Sequence, residues 1–277
     1  MRRLRLLVVI GVFATSFPWT ASIEARGSAV FVRLNQYYVL HSHPKAPFSA
    51  DGVIMAPLRV FGHLLNLQTH FTAGGRTAAV FTSAGPTARR MGLKVDSKTA
   101  SVDGRQFRLP VAPLWLKRDF DMAVPLRTVA GVFSVPASWD ASSGILSLRH
   151  PDLARNSAVE LLEERLLQTA PTRDTDSFRP ESFAIRRITV DGALRYRVEV
   201  LLKGNPAGVK GRPTIYTLAV YESGLVSFGG WNIFTSTDVG STKDPCKTQG
   251  DLTQCVEFFD VGGSPLRYLL VRVRMFP

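Results

Sequence analysis

Residues 120–149 read FDMAVPLRTVAGVFSVPASWDASSGILSLR, and residues 52–81 read GVIMAPLRVFGHLLNLQTHFTAGGRTAAVF. Each stretch holds an apolar run, then Pro-Leu-Arg, a short amphipathic segment, an aromatic residue and a polar turn. In the later stretch the apolar run ends at Val124, and Pro125 stands where a helix is expected to begin. Proline suits a first helical position, because its missing N–H would have no partner there. Leu126, Val129, Ala130 and Phe133 then fall at i, i+3, i+4 and i+7, one face of a short helix. ASWDASSGILSLR closes the unit with a strand carrying Trp139, a polar turn, and a strand carrying Ile145 and Leu146. In the earlier stretch Leu58, Phe61, Leu64 and Leu65 form the stripe, Phe71 stands where Trp139 stands, and TAGGRTAAVF is the closing hairpin.

Each unit also has an opening hairpin. SVDGRQFRLP (101–110) carries Asp103-Gly104 between alternating residues, a strong hairpin signal. AVFVRLNQYYVL (29–40) repeats it with Asn35 near the turn. The order strand-strand-helix-strand-strand thus occurs twice. Two copies are too few for a solenoid and are expected to pack as a pseudo-symmetric pair around one core.

VPLRTVAGVF with ASWDASSGILSL, preceded by VDGRQFRLPVAP, resembles the copper amine oxidase N-terminal-like domain of exported bacterial proteins. The resemblance covers residues 29–149, with the second copy the better match and Ala56 and Phe71 departing from the pattern in the first. It implies a stalk or accessory module joined to varied partners, without a copper site of its own. It does not imply amine oxidase activity. The family's catalytic part needs a cofactor-forming tyrosine after asparagine, and this chain has no Asn-Tyr pair, only NQYY in the first hairpin.

The second half opens with NSAVELLEERLLQTA (156–170), a helix with Val159, Leu162, Leu166 and Leu167 on one face and Glu160, Glu163, Glu164 and Arg165 largely on the other. Asn156 or Ser157 is its cap. Residues 171–182 read as a polar connection and 205–213 as a Gly/Pro loop. FAIRRITV meets ALRYRVEVLLKG across Asp191-Gly192, and in the latter Leu194, Tyr196, Val198, Val200 and Leu202 share a face. TIYTLAVYES, LVSFGGWNIF, CVEFFDV and LRYLLVRVRM supply further strands. The fold class expected is α+β: the duplicated module at 29–150, then an α+β domain at 151–277 with one helix against an antiparallel sheet.

The chain begins with Arg2, Arg3 and Arg5, an apolar run from Leu6 to Phe17, Pro18 and small residues. This is the pattern of a signal peptide, read as 1–25 with cleavage after Ala25 or Ser22. The apolar run is shorter than the roughly 20 residues of a membrane-spanning helix, so no transmembrane span is expected after its removal. The formal charge is +12, and it is uneven. Residues 26–149 hold 15 Lys/Arg against 6 Asp/Glu, whereas residues 150–277 hold 16 against 15. A basic segment attracts anionic polymers non-specifically, and the alternative is a merely solubilising charge. The binding residues expected on this ground are Arg89, Arg90, Lys94, Lys117 and Arg118.

Cys246 and Cys255 form a close pair in an exported chain and are expected to be a disulfide. His41, His43, His63 and His70 lie within thirty residues. They lack a carboxylate at ligand spacing, so surface or core histidines are preferred to a metal site. Arg59 and Arg127 follow the prolines and oppose the helix dipole, so a local structural partner is expected for each. Asp119 and Asp121 alternate on a strand and read as turn and edge residues rather than paired acids. Trp231 is either a core plug or a sugar-stacking residue. No nucleophile, phosphate-loop or dinucleotide motif occurs, so no catalytic residue and no cofactor is assigned.

The expectation is an exported, non-catalytic protein of the periplasm, cell envelope or extracellular space. Its basic module would engage an anionic cell-wall or surface polymer. An envelope hydrolase with its site in the C-terminal domain, or a carrier of a small apolar ligand, are the alternatives.

Overall fold

A computed structural model describes residues 30–41, 45–72, 74–82, 88–116, 121–151, 153, 156–167, 173–174, 178–204, 212–223, 226–232, 246–260 and 264–276. Residues 1–25, expected to be a signal peptide, and residues 205–211 of the expected Gly/Pro loop lie outside them, as do the side chains of Arg165, Leu166 and Leu167.

β1 (Phe31–Leu34) and β2 (Tyr37–Leu40) form the first hairpin, turning at Asn35 with φ 52°. β3 (Phe48–Ala50) and β4 (Val53–Pro57) form a second across Asp51-Gly52, both at positive φ. β4 runs directly into α1 (Leu58–Leu64). There follow β5 (Leu67–Phe71), β6 (Thr77–Thr82), β7 (Arg90–Lys94), β8 (Thr99–Val102) and β9 (Arg105–Arg108). These five pair in that order as an antiparallel meander. Asp103 and Gly104, at φ 50° and 82°, turn β8 into β9, as two successive positive φ values require of the commonest hairpin. β10 (Leu114–Leu116), β11 (Asp121–Pro125), α2 (Leu126–Val132), β12 (Ala137–Asp140) and β13 (Ile145–Leu148) complete this part.

β4 and β11 lie antiparallel, pairing Val124 with Ala56, so each strand delivers its helix in the opposite direction. Pro57 and Pro125 end these strands one residue before the first helical position, as N-caps with extended ψ of 128° and 93°. Neither can supply a side-chain cap. At α1 a carboxylate arrives from the other strand instead: Asp121 accepts hydrogen bonds from the Arg59 N–H, at 3.3 Å to each oxygen, and from the Met122 N–H at 2.7 Å. Asp121 is 1 % exposed and lies on a strand paired on both sides, which corrects its reading as an edge residue.

The rest of the chain comprises α3 (Ser157–Leu167), β14 (Arg173–Asp174), β15 (Phe178–Val190), β16 (Ala193–Gly204), β17 (Arg212–Tyr221), β18 (Val226–Asn232), β19 (Cys246–Gln249), β20 (Leu252–Asp260) and β21 (Leu266–Phe276). Asn156 caps α3, its Oδ1 accepting from the N–H groups of Ala158 and Val159. β15 begins at Phe178, which is fully buried, so the strand takes in residues expected to belong to the polar connection. β16 alternates as expected apart from Leu194, which is exposed because it lies beyond the last packed layer near the Asp191-Gly192 turn.

The described residues are thus α+β, mostly strands with three helices. The largest sheet has the order β12-β13-β1-β2-β21-β17-β18, with β14 also on β21. It joins strands from both halves of the chain, since β2 pairs antiparallel with β21 through Val39 and Leu270. Its two faces bury different cores. On one face Leu218, Val220, Tyr268 and Leu270 pack with α1, α2, α3 and the five-stranded meander. On the other, Ile215, Ala219, Leu269, Val271 and Val273 meet the sheet β15-β16-β20-β19. A strand buried on both sides has no polar face to show, which is why the centre of β21, Tyr268–Val271, is apolar without alternation.

Candidate functional site

Strand β7 alternates. Met91 and Leu93 point into the core at 0 % and 3 % exposure, which turns Arg90, Gly92 and Lys94 outward. The register of the meander continues this outer face across its neighbours. Lys94 lies opposite Thr77, Gly92 between Ala79 and Ser101, Arg90 beside Phe81, and Ser101 opposite Gln106. Small side chains therefore make the floor, and larger ones stand around it. The result is a groove of about 770 Å³ bounded by His70 on β5 and Gln106 on β9. Gly92 keeps the floor low: a Cβ there would lie 2.5 Å from the Ser101 hydroxyl oxygen. His70 and Phe81 form an aromatic pair near one end, ring centroids 5.5 Å apart.

Arg90 and Lys94 are exposed and lie about 13 Å apart along the strand. The Arg90 backbone is fixed by its N–H donating to Asp103 Oδ1 at 2.8 Å. Among the described residues no acceptor is recorded for either head group. The whole stretch 67–109 holds seven Lys/Arg against two aspartates.

Of the other residues expected in this patch, the described one, Arg89, lies elsewhere. It turns away, its Nη1 donating to the Val132 carbonyl at 3.0 Å at the C-terminal end of α2, where a cation is favoured. Lys117 and Arg118 lie outside the described residues, as do Asp119 and His43. Ser101 and Gln106 were not singled out from the sequence, and His70 was weighed there only as a surface or core histidine. Their signal is the alternation of small and polar residues at period two in three adjacent strands, which shows only once the register is known.

The remaining candidates are dispersed. The Arg59 guanidinium stacks 4.3 Å from the Phe71 ring centroid, and Arg127 is exposed. His41 is buried, with its ring edge-on to Phe61 and its pKa pushed down to about 3 by burial. His63 shares a 3.0 Å hydrogen bond with the Tyr268 hydroxyl, and burial lowers its pKa. Among the described residues no three His, Cys, Asp or Glu side chains converge on a point that would hold a metal ion. The backbone of Trp231 pairs with Ile215 in β18, and its side chain lies outside the described set.

A polar cluster links three distant elements. Arg272 on β21 donates through Nη1 to Glu163 Oε1 at 2.6 Å and to the Tyr37 hydroxyl at 2.9 Å. Tyr37 in turn donates to Glu163, and Gln36 Nε2 adds a bond at 3.0 Å. Burial, then the Glu163 contact, raise the Tyr37 pKa, so its hydroxyl remains a donor at any ordinary pH.

Cys246 and Cys255 are bonded, as paired residues facing each other across β19 and β20. Replacing both cysteines by serine is expected to lower stability by about 2.5 kcal/mol, the loop-closure entropy returned to the unfolded chain. Urea unfolding with and without reductant measures it; a reductant-sensitive midpoint in the wild type that is absent in the double variant is the expected pattern.

No helix among the described residues is long and apolar enough to cross a membrane. No curated protein and no solved structure matches the chain. Residues 33–148, which hold the two Pro-capped helices and the groove-bearing meander, match the family model of the copper amine oxidase N-terminal domain.

Proposed function

We propose that this chain is an exported cell-envelope protein whose N-terminal module, a duplicated strand-strand-helix-strand-strand unit, attaches to an anionic envelope polymer through the β7 groove. The observation that carries the reading is the pairing of Arg90 and Lys94 along a floor of small residues. Two head groups without recorded protein acceptors, set apart by one strand's length, suit a chain of repeated negative charges better than a single small anion. The His70–Phe81 pair offers an apolar platform beside them. The leader and the basic excess of residues 26–149 support delivery to, and retention at, such a polymer.

The test is cosedimentation of residues 26–277 with purified cell-wall material across a salt series. Binding is expected at low ionic strength and is expected to fall steeply as salt shortens the Debye length below about 8 Å. Arg90→Ser with Lys94→Ser should weaken it about three- to tenfold, as loss of two exposed charge contacts does. Absence of binding by the wild type at low salt rejects the proposal.

A further inference from the structure

A second concavity, lined by other residues than the β7 groove, lies where the residue after β2 meets β15, β16 and β21. Its volume is about 270 Å³, close to the lower limit of ligand pockets. Tyr196, Ile185 and Leu266 supply apolar wall, and Arg187 and Arg267 bring guanidinium groups to it. His41 lines it from inside the fold. That imidazole is 1 % exposed, and neither of its ring nitrogens has a partner at hydrogen-bond geometry, although the Lys45 backbone approaches it. A buried donor and acceptor left unmatched is costly, and native folds rarely keep one without a use.

The two arginines differ. Arg267 is engaged, donating to Glu222 Oε2 at 2.9 Å and to the Glu222 carbonyl at 3.4 Å. Arg187 is exposed and lies over the Tyr196 ring at 6.0 Å, with no acceptor recorded among the described residues. Tyr196 is held in place, since its hydroxyl accepts the Leu266 N–H at 3.0 Å. The site therefore combines one available cation at the rim, an aromatic and aliphatic wall, and an inner imidazole able to give or take one hydrogen bond.

We infer that this cavity binds a small single-ring carboxylate carrying a second polar group, its carboxylate on Arg187, its ring against Tyr196 and Leu266, and its distal hydroxyl or carbonyl on His41. This site is separate from the polymer groove and does not depend on that reading. It also differs from a purely apolar cargo, because an apolar molecule would leave both His41 and Arg187 without partners.

The probe is 4-hydroxybenzoate, titrated into residues 26–277 by calorimetry and by saturation-transfer NMR, with 4-methylphenol as the uncharged comparison. Saturable binding with a Kd below about 1 mM is expected, weakened at least fivefold in Arg187→Gln and unchanged in the Arg90→Ser, Lys94→Ser double variant. Arg187→Gln alters an exposed side chain, so the fold is expected to survive and the test keeps its meaning. His41→Gln, checked for folding by circular dichroism, should also weaken the acid. No saturable binding, equal binding of 4-methylphenol, or binding indifferent to Arg187 would each overturn the assignment.

Discussion

Acidification from pH 7 to pH 4 is expected to remove about 3 kcal/mol of folding stability through His41 alone. The folded-state pKa of this residue is about 3, and burial is the main cause. In the unfolded chain it returns to about 6.5. Its stabilising neutral form is therefore fully present above pH 6.5, and the unfolded state gains by taking up a proton as the pH falls toward 3. Urea unfolding of the wild type and of His41→Leu across pH 4–8 isolates the effect. Other groups titrate in both proteins: His63 acts in the same direction, and Asp140, whose carboxyl is held near 2 by the hydroxyls of Ser143 and Ser142, loses its bonds at lower pH. Only the difference between the two profiles belongs to His41. Parallel profiles would mean that the ring is protonated without unfolding.

The second large effect concerns Glu163. Arg272 is a buried cation whose side chain is 7 % exposed, and Glu163 is an acid partner of it. Replacing Glu163 by alanine leaves a guanidinium and the Tyr37 hydroxyl inside the fold without that acceptor. The expected loss is about 3 kcal/mol, at the low end for a broken buried pair because Glu163 itself is partly exposed. Glu163→Gln keeps an acceptor oxygen and should lose less. Combining Glu163→Leu with Arg272→Met should recover most of the loss, since the charge and its desolvation disappear together. Thermal and urea midpoints of the three variants decide the matter; a Glu163→Ala midpoint equal to wild type would show that the cluster contributes nothing to stability.

What was legible in the sequence was local. Asn35, Asp103-Gly104 and Asp191-Gly192 announce hairpins because positive φ is tolerated by few residue types, and all adopt it. The period-four stripes behind Pro57 and Pro125 place both helices, and the alternation in β16 gives its buried face. The pairing of β2 with β21 was not legible. Strands apolar on both faces carry no alternation, so nothing in Tyr37–Leu40 or Leu266–Phe276 names its neighbour. The candidate site divides in the same way. Arg90 and Lys94 are visible as charges, but the face they share with Gln106 depends on two strand registers, and Arg89 differs from Arg90 only by the side of the strand it leaves. His41 stood out only as one of four clustered histidines; the cavity it lines is completed by residues that come more than 140 positions later.

That β2–β21 ladder bears on how the molecule is made. Translation delivers the chain from its N-terminus, so β2 is available long before Leu266 leaves the ribosome. Until then its outer edge holds unpaired N–H and C=O groups, and the cores on both sides of the sheet lack the side chains β21 inserts. The hairpins and the Pro-capped helices contact close neighbours and form early. Final closure links residues separated by more than 220 positions, an ordering that makes folding slow and keeps an adhesive strand edge open meanwhile. A newly made molecule is thus most prone to join the wrong partner in the interval before β21 arrives.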